Sequence, residues 1–246
     1  MRKHGCKYIM KSMNTDEAVR LAVGALKSLI SPGGTKKKLP KLESKKYPEI
    51  YVFRHGESFD NRNRVFCGRR DSRITAVGKK QAKVLGEKLK NKEIDVCIIS
   101  SLSRSVETAK IALKGKGVKF EIDDRIIERD YGKLSGTSKM KILEDDPVKA
   151  VKYRRFYNFA PPKGESMKAV KKRVFEFCKY LEKRIRKTGE NVAISCHGNS
   201  MKMIRYYFEK LELIDVLVQE NPLGRDYAEY VVTPKSVLIN KTVSHI

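Results

Sequence analysis

The sequence predicts a three-layer α/β/α sandwich with a mainly parallel central sheet over residues 48–246, preceded by an extension over residues 1–47 that holds one short helix and a lysine-rich linker. Three observations carry this expectation. Short runs rich in β-branched and aromatic residues, at 50–53, 96–99 and 192–195, read as buried strands. Segments with apolar residues at helical spacing alternate with them, which is the βαβ pattern of a parallel sheet with helical cover. The 246 residues, 40% of them hydrophobic, are enough to bury a substantial core.

In the extension, Asp16 and Glu17 sit in the first turn of a helix whose Ala18, Ala22, Ala25 and Leu29 share one face up to Ser31-Pro32-Gly33-Gly34. Those two acids argue against a mitochondrial transit peptide. Lys36-Lys37-Lys38 and Lys45-Lys46 then form a basic linker without periodicity. The first strand ends at Arg54-His55-Gly56-Glu57-Ser58. Ligands of open α/β sheets bind just beyond the carboxyl ends of strands, so this loop stands where chemistry is usually done. Residues 59–72 are arginine-rich around Phe66-Cys67-Gly68, and solvation alone accounts for most of those arginines. Thr75 opens a helix with Gly78, Ala82, Leu85 and Leu89 on its packing face.

The second strand, near 95–101, leads through Ser101-Leu102-Ser103-Arg104 into a helix marked by Val106, Ala109 and Leu113. A third strand is expected at 118–122, before Glu128-Arg129-Asp130-Tyr131-Gly132. Residues 137–162 read as mostly irregular, with a short helix beyond Asp145-Asp146-Pro147, and Lys139, Arg154 and Arg155 could reach over the sheet edge as a cationic lid. Val170, Val174, Phe177, Leu181 and Ile185 mark the buried face of a long helix. The strand at 192–195 runs into Cys196-His197-Gly198-Asn199-Ser200 and a further helix, and two strands around Pro234 close the chain.

The formal net charge of +25, from 54 Lys and Arg against 29 Asp and Glu, implies anionic partners. The basic residues are dispersed, and there is no Trp and no aromatic-interleaved basic block, which disfavours nucleic acid against a small phosphorylated metabolite. Five widely spaced cysteines without a Cys-x-x-Cys pair argue against a disulfide framework or zinc site and for a reducing compartment. No apolar run approaches a membrane span, so a cytoplasmic protein is expected.

The motif His-Gly-x-Ser occurs twice, at His55 and His197, each time at the mouth of an apolar strand, and these are two of only four histidines. Matched positions favour a paired-histidine site. Neither belongs to a His-x-x-x-His pair, and the neighbouring arginines would repel a metal cation. The surroundings suit an anion. Arg54 and Arg104 can hold phosphoryl oxygens, an imidazole can attack phosphorus and carry it, and a carboxylic acid, for which Glu128 is the candidate, can protonate the leaving oxygen.

From Ile50 to Val232 these pieces resemble, in order, the histidine phosphatase superfamily and within it the cofactor-dependent phosphoglycerate mutases. The resemblance rests on Arg54-His55-Gly56-Glu57-Ser58 with Asn61, Phe66-Cys67-Gly68, Ser101-Leu102-Ser103-Arg104, Glu128-Arg129-Asp130-Tyr131-Gly132, Arg154-Arg155 leading to Pro161-Pro162-Lys163-Gly164-Glu165-Ser166, and His197-Gly198-Asn199-Ser200. It implies His55 as the phosphorylated nucleophile, Glu128 as proton donor and acceptor, and Arg54, Arg104 and His197 as the phosphate pocket. It further implies that Ser58, Asn61, Cys67, Gly68, Tyr131, Lys139, Arg154, Arg155 and Asn199 hold the rest of the substrate. The implied enzyme interconverts 3- and 2-phosphoglycerate, needs no metal and is primed by 2,3-bisphosphoglycerate; whether it is a homo-oligomer is left open by the sequence. Two alternatives stand beside it: a broad phosphomonoesterase using the same intermediate, and a non-catalytic anion- or RNA-binding module. The chain departs from the family at Asp60, where Trp is usual, and at Cys67, where Thr is more usual.

Overall fold

Strand β1 (Glu49–Arg54) lies near the middle of a six-stranded sheet because almost every residue in it is buried, which only a strand covered on both faces requires. In a computed structural model of the chain, residues 22–23 and 38–239 are described. The helix expected in the extension lies outside them except for Ala22 and Val23, which are helical. His4, His245 and Cys6 also lie outside.

The sheet order is β3 (Lys119–Ile122), β2 (Val96–Ile99), β4 (Val192–Cys196), β1, β5 (Tyr227–Val232), β6 (Val237–Leu238). The first four run parallel; β5 is antiparallel to β1, and β6 to β5. Among the described residues 38–239, eight α-helices flank the sheet: α1 (Phe59–Arg62), α2 (Ala76–Leu89), α3 (Ser103–Ala112), α4 (Lys139–Asp145), α5 (Pro147–Arg155), α6 (Met167–Thr188), α7 (Gly198–Glu209) and α8 (Leu213–Val218).

Alternation along the strands builds two cores. Ile50 and Val52 face one side with Val96, Ile98, Val192 and Ile194, under α6, α7 and α8. Tyr51 and Phe53 face the other with Cys97, Ile99 and Ala193, under α2 and α3. On α6 the expected stripe Val170, Val174, Phe177, Leu181 and Ile185 is fully buried, and each such side chain contributes about 1.5–3 kcal/mol. Ser166 caps the start of α6, and Gly189 ends it in the left-handed conformation.

Two stretches differ from expectation. Residues 137–162 hold two helices, α4 and α5, each with a polar N-cap: the side chain of Ser138 accepts from the Lys141 N–H and that of Asp146 from the Lys149 N–H. Asp146 therefore ends one helix and starts the next, so the break at Asp145-Asp146-Pro147 divides helices. The end of the basic linker, residues 38–47, packs on the domain: Leu39 and Leu42 are buried, and the Pro40 carbonyl accepts from the Glu229 N–H at 2.9 Å.

Register positions the two histidine loops. Arg54 of β1 pairs with Cys196 of β4, so the next residue of each strand, His55 and His197, emerges at the same sheet edge. The His55 N–H donates to the Cys196 carbonyl at 3.0 Å, locking the loops together. The loop after β2 opens beside them with Ser100, and the first turn of α3 that follows carries Arg104.

Candidate active site

The imidazoles of His55 and His197 lie 5.1 Å apart between ring centroids with their planes tilted at 55°, both buried. His55 Nδ1 lies 2.7 Å from the Gly56 carbonyl. A carbonyl only accepts, so Nδ1 carries the proton and Nε2 keeps its lone pair. The loop that presents it is tightly held: the Gly56 N–H donates to Thr108 Oγ1 of α3 at 2.9 Å, and the Gly224 N–H donates to the Arg54 carbonyl at 3.1 Å. Gly224 has φ +46°, and a Cβ there would stand 2.6 Å from Gly56 Cα, so only glycine lets the two chains approach. His197 caps the N-terminus of α7, and its Nε2 shares a hydrogen bond with Ser100 Oγ at 2.7 Å. The N–H groups of that helix end favour negative charge nearby, and that of Asn199 donates to the Glu128 carboxylate.

Arginines frame the pair. Arg104 is almost fully buried and donates to the Arg70 and Gly68 carbonyls at 2.8 and 2.7 Å, which fixes the guanidinium against the loop of residues 59–72. Arg54 donates through Nη1 to the Asn221 carbonyl at 3.1 Å. Burial first, then Arg104 and Arg54, hold the pKa of His55 well below the ordinary imidazole value, although its bond to Gly56 opposes this. His197 is pushed down likewise by burial, Arg104 and His55. Both imidazoles are therefore neutral at neutral pH, as a nitrogen nucleophile must be.

Glu128 reaches the same pocket from the segment between β3 and α4. Its Oε1 accepts from the Arg129 N–H at 2.8 Å and from the backbone and side-chain N–H groups of Asn199 at 3.2 and 3.1 Å. Arg129 anchors this segment. It is fully buried and donates to the carbonyls of Glu165, Tyr153 and Phe159 at 2.8, 2.8 and 2.9 Å, bracing α5 and the start of α6 around Glu128.

Arg54, His55, Asn61, Cys67, Gly68, Arg104, Glu128, Tyr131, Lys139, Arg154, Arg155 and Asn199 line one pocket. His197 lies against His55. Ser58 is not part of the lining: it is fully buried and caps α1, with Oγ accepting from the Asn61 N–H at 3.3 Å. The Lys139 ammonium is pushed down to about 8 by burial, Arg154 and Arg54. Arg154 falls to about 10 through burial and Arg155, and burial raises the Cys67 thiol to about 12.

Sequence reasoning missed Lys202 and Glu220, which line the pocket too, and the supporting Ser100, Thr108 and Arg129. Lys202 is buried and pushed down to about 7, by burial first and Arg155 second, although Glu220 opposes this. Its signal is a lysine between Met201 and Met203 on a helix that starts at the second histidine loop. Glu220, beyond α8, has no comparable signal.

Among the described residues the cysteines Cys67, Cys97, Cys178 and Cys196 are free thiols, no cluster of His, Cys, Asp and Glu has the makings of a metal site, and no helix is long and apolar enough to cross a membrane. Two neutral imidazoles, fixed guanidinium groups, a helix N-terminus and one carboxylate can bind a phosphoryl group, accept it on nitrogen and move a proton at the ester oxygen.

Comparison with known proteins agrees with this chemistry. The family model of the histidine phosphatase superfamily (branch 1) matches residues 50–220. A 2,3-bisphosphoglycerate-dependent phosphoglycerate mutase of Parvibaculum lavamentivorans is 37% identical over 175 residues, covering 68% of this chain and 83% of its own. Among solved structures, Bacillus stearothermophilus YhfR is similar at a TM-score of 0.71 and 26% identity, covering 78% of this chain and 95% of that one. A mycobacterial glucosyl-3-phosphoglycerate phosphatase bound to VO3 follows at 0.66 and 20%, covering 74% and 90%, a likeness of fold.

Proposed function

We propose that this chain, which belongs to the histidine phosphatase superfamily, is a phosphoglycerate mutase interconverting 3- and 2-phosphoglycerate through phospho-His55. The observation that carries this reading is one pocket containing two groups of cations: Arg54 and Arg104 beside the histidines, and Lys139, Arg154 and Arg155 in the same lining. A phosphoryl group needs the first group, and a substrate's further anionic group needs the second. The named mutase relative supports the same choice.

In this reading the Nε2 lone pair of His55 attacks phosphorus, the P–O ester bond breaks, and Glu128 as the carboxylic acid protonates the departing oxygen. Arg54 and Arg104 stabilise charge on the equatorial oxygens. In the return half, a substrate hydroxyl attacks the phosphohistidine, the P–N bond breaks, and the Glu128 carboxylate takes the hydroxyl proton. The donor set suits 2,3-bisphosphoglycerate as primer: Arg54, Arg104 and His197 would hold one phosphoryl group, and Lys139, Arg154 and Arg155 the other. Its chemistry is to supply the phosphoryl group that loads His55.

A second reading is a phosphomonoesterase, in which water takes the phosphoryl group from His55. The Glu220 carboxylate in the pocket favours it, since it offsets cations that a bisphosphate would need. Assay with 3-phosphoglycerate, with and without 2,3-bisphosphoglycerate, separates the two. Primer-dependent 2-phosphoglycerate is expected; release of inorganic phosphate without 2-phosphoglycerate would overturn the mutase.

A further inference from the structure

Glu220 and Glu128 are the two acids in a pocket whose other charged residues are cations, and Glu220 is the one paired with them. Its Oε1 accepts from Arg155 Nη2 at 2.7 Å and lies 3.4 Å from Lys202 Nζ, while Oε2 stands 3.8 Å from Arg54 Nη1. Two of these cations are almost wholly removed from water, Arg155 at 2% and Lys202 at 4% side-chain exposure, so each needs a counter-charge to remain ionised. Arg155 and Lys202 also donate to the Leu217 carbonyl, at 2.8 and 3.3 Å, which gathers both cations at the end of α8. The carboxylate thus occupies the position, relative to these cations, that a ligand's own carboxylate or second phosphate would take.

We propose that Glu220 is a specificity-determining residue, a resident stand-in for the second anionic group of the substrate. In the free protein it holds Arg155 and Lys202 ordered and opposes the loss of charge that burial imposes on Lys202. A phosphoester carrying a carboxylate or second phosphate has to exchange with it, whereas one with an uncharged remainder does not. Glu220 thereby sets how strongly the pocket prefers a doubly anionic ester. This inference rests on the reading that the pocket takes a phosphoester at His55.

The test is calorimetric binding of two probes, inorganic phosphate and 2-phosphoglycolate, to the full chain and its variants. In Glu220→Gln the ratio of 2-phosphoglycolate affinity to phosphate affinity is expected to rise by about tenfold or more, the effect of removing one close like charge. Glu220→Asp keeps the charge that buried Arg155 and Lys202 require and withdraws the carboxylate by one methylene. There a rise of about threefold is expected. This second variant decides the matter if the first does not fold. A ratio unchanged or lowered in the folded variants would make Glu220 a brace for the arginines and overturn the proposal. Binding is read without turnover. A chain that binds 2-phosphoglycolate but never phosphorylates His55 would sink the catalytic reading and leave this one intact, while a wild-type chain binding neither probe would overturn both.

Discussion

Glu128 and Asn199 meet across the pocket mouth through one carboxylate oxygen, which accepts both the backbone and the side-chain N–H of Asn199. The second histidine loop thus aims the proposed proton donor. Glu128→Gln is expected to lower kcat on 3-phosphoglycerate by about 10²–10⁴, the usual worth of a positioned acid–base. On p-nitrophenyl phosphate, whose leaving group needs no proton, the loss should be far smaller. Asn199→Ala removes one of the two bonds and should cost about tenfold with the same leaving-group bias. Steady-state kinetics on both esters check this, and equal losses on both would contradict the role.

Two imidazoles buried neutral couple stability to pH. Both His55 and His197 have folded-state pKa values below the unfolded value, so below about 6.5 the unfolded chain binds protons that the folded chain refuses. Their contribution is complete above 6.5 and is lost as pH falls. Each group should remove about 1.4 kcal/mol per pH unit. Urea midpoints between pH 7.5 and 5.5 measure the slope, which should shrink in His197→Gln. The acid limb of kcat/KM should likewise lie well below pH 6.5.

Gly224 presses its backbone onto the nucleophile loop. Gly224→Ala places a methyl group in contact with Gly56 in a left-handed conformation, and a cost of about 1–3 kcal/mol is expected. Because the strain falls on the loop bearing His55, kcat/KM should fall more than the loss of folded protein explains. Denaturant unfolding beside kinetics at equal folded concentration separates the two effects.

Arg129 is expected to act on stability first. Arg129→Met leaves the Glu165, Tyr153 and Phe159 carbonyls without their donor, and each buried unpaired group costs about 1–3 kcal/mol. A drop of several kcal/mol in unfolding free energy is expected, with α5 exchanging its amide hydrogens faster. A loss under about 1 kcal/mol would mean that the carbonyls find other partners.

The two histidine loops are legible in the sequence because strand burial and the turn chemistry after it are local properties. Residues 50–53 and 192–195 announce buried strands, and the repeated His-Gly-x-Ser marks where both end. The long helix α6 is legible because its apolar stripe keeps step over 22 residues. The helices α4 and α5 are not, since segments of seven and nine residues show no clear stripe, and their placement depends on Arg129 and on N-caps at Ser138 and Asp146. Glu220 escapes notice for a similar reason. It is 92 residues from Glu128 and 65 from Arg155 along the chain, and only folding brings all three into one pocket. Lys202 reads as a solvated lysine until α7 turns it inward.

The central claim is that His55 receives the phosphoryl group. The direct measurement is incubation with 2,3-bisphosphoglycerate followed by mass spectrometry of peptides kept at alkaline pH, where phosphohistidine survives. An acid-labile phosphoryl group on the peptide containing His55, absent from His55→Ala, is the expected result. Product formed with no label on that peptide, or label undiminished in His55→Ala, would contradict it. A chain that binds the ester but neither forms product nor takes up label would be a binding protein.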